Sequence, residues 1–322
     1  MPRAKLPLFS PPSLERQAVP AETTPEAAAT LAGADTRLNA LSRFSHIHAR
    51  PESASRGRAF CDIMANKAVV VIGTGGVGAV AAEMLARSHI GRLHLIDRDR
   101  FEPANLNRLG AEIGDLHQSK ALALAARLRQ YLPAAPPDSY TSVLAGVPHE
   151  DKPQAFREAA INAYCWDVSV VETAAHLLTL LKTGSICGTR PVDLVICCVD
   201  NYQARLSVNM ICNMIGATWI ETGASEDAVG GHIQLIRPGR TPCFACAASV
   251  PTTPALVAGM AVQLAYKLFL QFGQISTYVS YNGLQDSMRA HQFRPNPECM
   301  DHHCQARQAD ATATGDDVFR AH

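Results

Sequence analysis

The feature that most constrains this chain is a glycine-rich turn between an apolar strand pattern and a helical pattern. The run VVVIGTGGVGAVAAEML (residues 69–85) places Gly73, Gly75, Gly76 and Gly78 at that turn. Glycine adopts backbone angles closed to other residues, and the free N–H groups at a helix N-terminus favour negative charge. The run therefore predicts a nucleotide-binding strand–turn–helix unit.

Beyond this unit, short β-branched runs alternate with longer helical patterns. Strands are predicted over residues 68–73, 92–97, 193–200, 218–223 and 230–239, and helices over 77–90, 120–132, 205–216 and 254–273. Such alternation is typical of an α/β fold with a mainly parallel sheet flanked by helices, a Rossmann-like architecture. The strand at 230–239 alternates polar and apolar residues, which predicts that one of its faces is exposed.

The domain organisation follows from where this alternation stops. Residues 1–38 and 305–322 are polar and lack periodicity, so both are predicted to be disordered tails. One domain is predicted over 39–304, with a proline-rich surface insertion at 133–162.

Composition excludes several classes of partner. The formal net charge is +0 and the pI is about 7.2, which argues against binding nucleic acid or anionic lipid through bulk charge. No apolar run reaches the roughly 18–20 residues of a membrane helix, and the N-terminus lacks the core of a secretory signal. We therefore expect a cytoplasmic protein whose cysteines are mostly reduced.

Polar residues after the predicted strands indicate which nucleotide binds. Asp97 ends the second strand, where an acid accepts hydrogen bonds from ribose hydroxyls of either NAD or ATP. Asn105, Arg108 and Lys120 follow it, and these donors suit a triphosphate better than a hydride-transfer site. Asp200 ends a later strand and is placed to hold magnesium, with Asn201 beside it.

Four of the ten cysteines are spaced for metal binding. Cys243 and Cys246 form one pair, and Cys299 and Cys304 form a second. Four thiolates in two short hooks suit a closed, structural zinc site, although a reduced cluster or a disulfide remains an alternative.

Several motifs together resemble the ThiF-like adenylating superfamily, and within it the enzymes that activate the ubiquitin-fold modifier. They are GTGGVG, LIDRDRFEPANLNR, SKALA, CVDNYQAR, ETGASEDAVGGHIQLIRPG, CFAC and NPECMDHHC. The resemblance implies the ThiF adenylation fold over 39–304. It also implies a homodimer that uses ATP and magnesium to adenylate the C-terminus of a ubiquitin-like modifier, forms a thioester, and passes the modifier to a conjugating enzyme.

The resemblance also implies roles for individual residues. Gly75, Gly76 and Gly78 would line ATP, Asp97 would bind the ribose, and Asn201 would lie beside the nucleotide. Asn105, Arg108 and Lys120 would contact the phosphates, with Arg108 and Lys120 acting in catalysis, and Asp200 would bind magnesium.

Cys246 is the point at which this chain departs from the family. Relatives have a crossover of some twenty residues between the second zinc cysteine and the nucleophilic cysteine, whereas here CFAC runs directly into AASVPTT. Cys246 therefore aligns with both positions, and a zinc-bound thiolate cannot also serve as a free nucleophile. It is predicted to be a zinc ligand, with a nucleophile or neither role as alternatives, and a true deletion and an omitted exon would produce the same junction.

Other functions remain possible from the sequence. The missing crossover allows a catalytically impaired member that binds nucleotide or modifier as a regulatory subunit. The glycine turn and Asp97 alone would also suit an NAD-dependent oxidoreductase.

Overall fold

A computed structural model of the chain describes residues 63–107, 111–129, 161–224, 230–246 and 254–314. Within these ranges, one sheet is formed by β1 (Ala68–Ile72), β2 (Arg92–Ile96), β3 (Ile161–Tyr164), β4 (Leu194–Cys197), β5 (Trp219–Ala224), β6 (Gly230–Ile236), β7 (Tyr278–Asn282) and β8 (Ser287–His291). The α-helices include α1 (Gly76–Arg87), α2 (Lys120–Leu128), α3 (Val171–Thr183), α4 (Tyr202–Ile215), α5 (Pro254–Leu270) and α6 (His302–Thr314). A short 3-10 helix, Pro103–Asn107, follows β2.

The order of the strands determines where a ligand can bind. It runs β3-β2-β1-β4-β5-β6-β7-β8 in the described part of the chain. The first five strands in this order are parallel, and the last three pair antiparallel. The carboxyl ends of β1 to β5 therefore share one edge of the sheet, called here the carboxyl edge. Strand order reverses between β1 and β4, and this switch point is where open α/β sheets bind ligands.

Alternation along β1 explains the layered core. Val69 and Val71 pack in one apolar cluster with α1, α2 and α5, whereas Val70 and Ile72 pack in a second with α3 and α4. Every residue of β1 is buried, as expected for a parallel strand covered on both faces. The mainly parallel α/β sheet predicted from the sequence is confirmed, and no helix in the described ranges is long and apolar enough to cross a bilayer.

The prediction of a half-exposed strand at 230–239 is wrong. All seven residues of β6 are buried. The polar positions point into the protein and find partners there: His232 contacts Glu221, and Gln234 Nε2 donates to the Pro242 carbonyl at 2.9 Å. The alternation is real, but its polar face packs against other polar groups instead of water.

The predicted C-terminal disordered tail is wrong for residues 305–314, which continue α6. Arg307 fixes this helix to the end of α4, because its Nε donates to the Asn213 carbonyl at 3.1 Å and its Nη2 to the Met214 carbonyl at 2.8 Å. Tertiary bonds therefore order a segment whose composition is polar. The predicted tail 1–38, residues 315–322 and most of the predicted insertion 133–162 lie outside the described residues.

Candidate functional site

The glycine turn after β1 forms the centre of the carboxyl edge. Gly73 has a positive φ of 85°, and a Cβ there would lie 2.7 Å from the Cys198 carbonyl oxygen. A Cβ on Gly78 would lie 1.8 Å from the Gly73 carbonyl oxygen. Both glycines are therefore required for close packing of the turn against itself and against the end of β4.

Gly75 and Gly76 differ from Gly78 in what they offer a ligand. Gly78 is buried, whereas Gly75 and Gly76 are partly exposed. Gly75 is the N-cap of α1, and no side chain caps that helix. The first N–H groups of α1 are thus available for an anion, as expected for a phosphate-binding turn.

Asp97 ties the glycine turn to the end of β2. Its Oδ2 accepts hydrogen bonds from the Thr74 backbone N–H at 2.6 Å and from Thr74 Oγ1 at 2.9 Å. Its Oδ1 accepts from the backbone N–H of Asp99 at 2.8 Å. The carboxylate is only partly buried, so it retains lone pairs for a ribose hydroxyl.

Lys120 is brought to the same edge by Asp99. The Lys120 Nζ lies 3.0 Å from Asp99 Oδ2, and the Lys120 backbone N–H donates to the Asp99 carbonyl at 3.0 Å. Ser119 caps α2 by accepting from the Leu122 N–H at 3.4 Å. Lys120 is thus the first residue of a helix whose start is anchored beside Asp97.

Asp200 and Asn201 follow β4 on the other side of the glycine turn. Asp200 is exposed, and the Asn201 side chain caps α4 by accepting from the Ala204 N–H at 2.7 Å. Arg98 lies near both loops: the pKa of its guanidinium is raised, first by a hydrogen bond to Asp167 and to a smaller extent by the charge of Asp200. The segment that carries Asp200 packs against the glycine turn, because a Cβ at Gly73 would lie 3.0 Å from the Val199 nitrogen.

Asn105 lies farther along the segment after β2. Its Oδ1 accepts from the Glu102 backbone N–H at 3.0 Å and holds the start of the 3-10 helix. Arg108, predicted to act with Lys120, lies outside the described residues. Direct contacts therefore join Asp97 to the glycine turn, Asp99 links Asp97 to Lys120, and Asp200 and Asn201 are placed beside them by the fold.

Two contacts at this edge were missed by the sequence analysis. Asp99 links Asp97 to Lys120, and its only sequence signal is its place two residues after Asp97 in LIDRDR. Arg205 lies in the first turn of α4 and pairs with buried Glu221, at 3.3 Å between Nη1 and Oε1. No spacing rule reveals this second pair, because it depends on α4 packing over β5.

The four predicted zinc ligands come together on the α4 side of the sheet. Their Sγ atoms all lie within 4.8 Å of one another, with Cys243 3.5 Å from Cys246 and 3.6 Å from Cys299, and Cys246 3.8 Å from Cys304. A tetrahedral zinc with Zn–S bonds of about 2.3 Å requires sulfurs about 3.8 Å apart, so the four thiols fit that ion. These distances are far above the disulfide bond length of about 2.05 Å, which excludes disulfides among these four cysteines.

Asp301 supports the cysteine cluster from outside. Its Oδ2 accepts from Asn209 Nδ2 at 2.9 Å and Asn213 Nδ2 at 2.8 Å, both on α4. Its Oδ1 accepts from the backbone N–H groups of His303 at 2.9 Å and Cys304 at 3.2 Å. Asp301 therefore caps α6 and orients Cys304 at the same time.

The structure places Cys246 among the metal-ligand candidates. Its thiol sits within the cluster, and hydrogen bonds from Cys243 and then Cys304 lower its pKa. The hydrogen bonds within the cluster raise the pKa of Cys243 and Cys304 in turn, so binding of a metal would release the protons of these thiols. The segment that follows Cys246, residues 247–253, lies outside the described residues.

Comparison with known proteins places this geometry in a family. The model of the ThiF family matches residues 54–301, which is most of the chain. The chain belongs to the ThiF family. The match spans the glycine turn, Lys120, Asp200 and Cys299.

Several relatives of this ThiF family member share one name. The chain is 37% identical over 263 residues to "Ubiquitin-like modifier-activating enzyme 5" of Branchiostoma floridae, covering 75% of this chain and 59% of that protein. It is 39% identical over 268 residues to the protein of the same name from Aedes aegypti, covering 77% and 62%. The chain thus spans about three fifths of the length of these relatives.

Solved structures support the fold. The chain is similar to the crystal structure of E. coli MccB with MccA-N7isoASN, with a TM-score of 0.61 and 18% identity over 84% of this chain and 76% of that one. It is also similar to E. coli MccB with ATP, with a TM-score of 0.56 and 17% identity over 77% and 70% of the two chains. At this identity the likeness establishes the architecture alone.

Proposed function

We propose that this chain uses ATP to activate the C-terminus of a ubiquitin-like modifier, most specifically the ubiquitin-fold modifier. The observation that supports the proposal is the arrangement of Asp97, Thr74, Asp99 and Lys120, which brings an acid and a lysine together beside the glycine turn. The relatives named as modifier-activating enzymes supply the class of substrate.

The reaction begins with ATP on the glycine turn. The N–H groups at the start of α1 bind phosphate oxygens, and Asp97 accepts from the ribose. A carboxylate oxygen of the modifier attacks the α-phosphorus, the new O–P bond forms, and the bond from the α-phosphorus to the bridging oxygen breaks. Pyrophosphate leaves with the electron pair. Lys120 and Arg108 balance the negative charge that accumulates, Asn105 contacts the phosphates with them, and Asn201 lies beside the nucleotide.

Asp200 is the proposed magnesium ligand. A carboxylate oxygen at the end of a parallel strand is the donor that magnesium prefers beside substrate phosphates. When bound, the ion would withdraw charge from the phosphates and favour departure of pyrophosphate.

Zinc is the proposed occupant of the four-cysteine cluster, where it would have a structural role. With all four positions filled by Cys243, Cys246, Cys299 and Cys304, no position is open for water or substrate. Cys246 would then be unable to form a thioester with the modifier, so the chain would adenylate well and form thioester poorly. If adenylation is also lost, the chain would instead fit the second candidate function, a regulatory subunit that binds nucleotide or modifier.

The remaining features are proposed from the family alone. We expect a homodimer in the cytoplasm that works with a conjugating enzyme. An NAD-dependent oxidoreductase is disfavoured, because the relatives are named as modifier-activating enzymes.

Exchange of labelled pyrophosphate into ATP tests adenylation. The wild-type chain should exchange label only when the ubiquitin-fold modifier is present, and Lys120→Ala should reduce the rate about 100-fold or more, because it removes a preorganised charge worth about 3 kcal/mol. Lys182→Ala, which changes an exposed lysine of α3, should exchange normally. Nucleotide and modifier binding without exchange would point to the regulatory subunit instead.

A further inference from the structure

A buried charged network lies directly below the turn that carries Asp200. Glu221 of β5 and His232 of β6 are both 0% exposed, and His232 Nε2 lies 2.6 Å from Glu221 Oε2. Arg205 of α4 completes the network through its ion pair with Glu221 Oε1 at 3.3 Å. A buried carboxylate costs several kcal/mol unless its partners compensate, so Glu221 depends on Arg205 and His232.

The surrounding residues are arranged to keep the network in one geometry. His232 stacks on Tyr278, with ring centroids 5.4 Å apart and planes 14° apart. Gly223 leaves room for the imidazole, since a Cβ there would lie 2.1 Å from His232 Cε1. Thr222 Oγ1 donates to the Cys197 carbonyl at 2.9 Å and fixes β5 to β4 at the same level.

Arg205 connects this network to the loop that carries Asp200. Its Nε and its Nη2 both donate to the Val199 carbonyl, each at 3.1 Å. Val199 immediately precedes Asp200, and Asn201 then caps α4. A guanidinium is planar and carries three nitrogens. Nε and Nη2 can therefore bind the Val199 carbonyl while Nη1 faces the Glu221 carboxylate.

We propose that Arg205 is a positioning residue for Asp200. Held by the Glu221–His232 pair, it fixes the Val199 carbonyl and thereby the peptide that presents the Asp200 carboxylate to the metal. The link to magnesium rests on the proposed function, whereas the fixing of the turn by Arg205 does not.

Two variants and a matched control separate this role from simple stability. Arg205→Met removes the guanidinium. Arg205→Lys keeps a cation beside Glu221, but its single ammonium group cannot bind the Val199 carbonyl at the same time. Arg307→Met is the control, because Arg307 also donates to backbone carbonyls of α4, at its opposite end. A general loss of helix anchoring would therefore appear in all three proteins.

The first measurement uses no substrate. Amide hydrogen exchange of the peptide covering residues 199–206 is compared with that of β1 in each protein. We expect at least 10-fold faster exchange of residues 199–206 in both Arg205 variants, with β1 unchanged, and wild-type exchange of this peptide in Arg307→Met. Wild-type exchange of this peptide in Arg205→Lys would overturn the positioning role.

The second measurement is the magnesium concentration that gives half-maximal pyrophosphate exchange. We expect it to rise about 10-fold in Arg205→Lys and to stay within 2-fold of wild type in Arg307→Met. If residues 199–206 exchange faster in Arg205→Lys but its magnesium requirement is unchanged, the link between Arg205 and the metal is overturned. If the wild-type chain shows no exchange at all, the proposed function fails, and the amide measurement alone decides whether Arg205 fixes the turn.

Discussion

At the scale of single residues, Asp97 and Asp99 show what a sequence pattern reveals and what it omits. Asp97 could be predicted because it ends a strand about two dozen residues after the first glycine of the turn, a spacing fixed by the strand–helix–strand unit. Asp99 could not, because its contacts with Lys120 depend on how the segment after β2 folds back over the start of α2. Spacing rules find residues on regular elements better than residues in turns.

His94 gives a prediction about pH at this scale. Burial lowers its pKa to about 4, and its Nε2 lies 2.8 Å from the Gly184 carbonyl oxygen. Between pH 6.5 and pH 4 the unfolded chain binds a proton at this residue that the folded chain does not. The contribution of His94 to stability is therefore complete above pH 6.5 and is lost as the pH falls towards 4.

Urea unfolding at two pH values measures this effect. Between pH 7.5 and pH 5, wild type should lose about 2 kcal/mol of unfolding free energy through His94, and His94→Gln should lack that part of the loss. His176→Gln, which changes an exposed histidine of α3, should retain it. Equal pH dependence in wild type and His94→Gln would contradict the prediction.

At the scale of elements, β6 and α6 show why exposure is hard to read from sequence. The alternation in β6 was correctly recognised, but its polar face is covered by groups that lie outside the strand, such as Glu221 on β5 and the Pro242 carbonyl. The polar composition of α6 predicted disorder, yet Arg307 and the Cys304 hook hold it against α4. In both cases a polar contact with another element decides, and the pattern within the segment itself does not encode it.

Asp301 provides a test at the scale of elements. Asp301→Ala removes the cap of α6 and the acceptor for Asn209 and Asn213, so we expect a loss of about 2–3 kcal/mol in unfolding free energy and about 10- to 100-fold weaker zinc binding. Urea unfolding and competition with a chromogenic zinc chelator measure the two effects. Glu298→Ala, an exposed carboxylate near Cys299, is the control and should change neither. Unchanged zinc affinity in Asp301→Ala would show that Asp301 does not orient Cys304.

At the scale of the whole molecule, most of the parallel strands were predictable, whereas β3 and the antiparallel strands β7 and β8 were not. Strands β1, β2 and β4 are buried on both faces, and β1 and β4 are continuous apolar runs, which is a strong signal. Strands β7 and β8 are at best partly buried, and they are specified by register with β6 more than by their own composition. The four-cysteine cluster was predictable because its two hooks are local in sequence, even though they meet across 56 residues.

Removal of zinc tests how the cluster contributes to the whole fold. A zinc-selective chelator, added with magnesium in excess, should lower the unfolding temperature by about 10 °C, because a ligand present at about 1,000 times its Kd adds about 4 kcal/mol. Amide exchange should accelerate in α6 before it does in α1. Cys304→Ser should already show the lower temperature and respond little to the chelator. A chain indifferent to the chelator would contradict a zinc-stabilised fold.

The Lys120–Asp99 pair has a consequence for how a polyanion enters. The cation is already matched with a carboxylate, so under the proposed function a triphosphate would replace one anion by another at Lys120. A single small anion such as sulfate would gain little from that exchange, whereas a nucleotide that also engaged Asp97 would gain contacts at both ends. Discrimination against simple anions would then follow from the arrangement of the site before any ligand arrives.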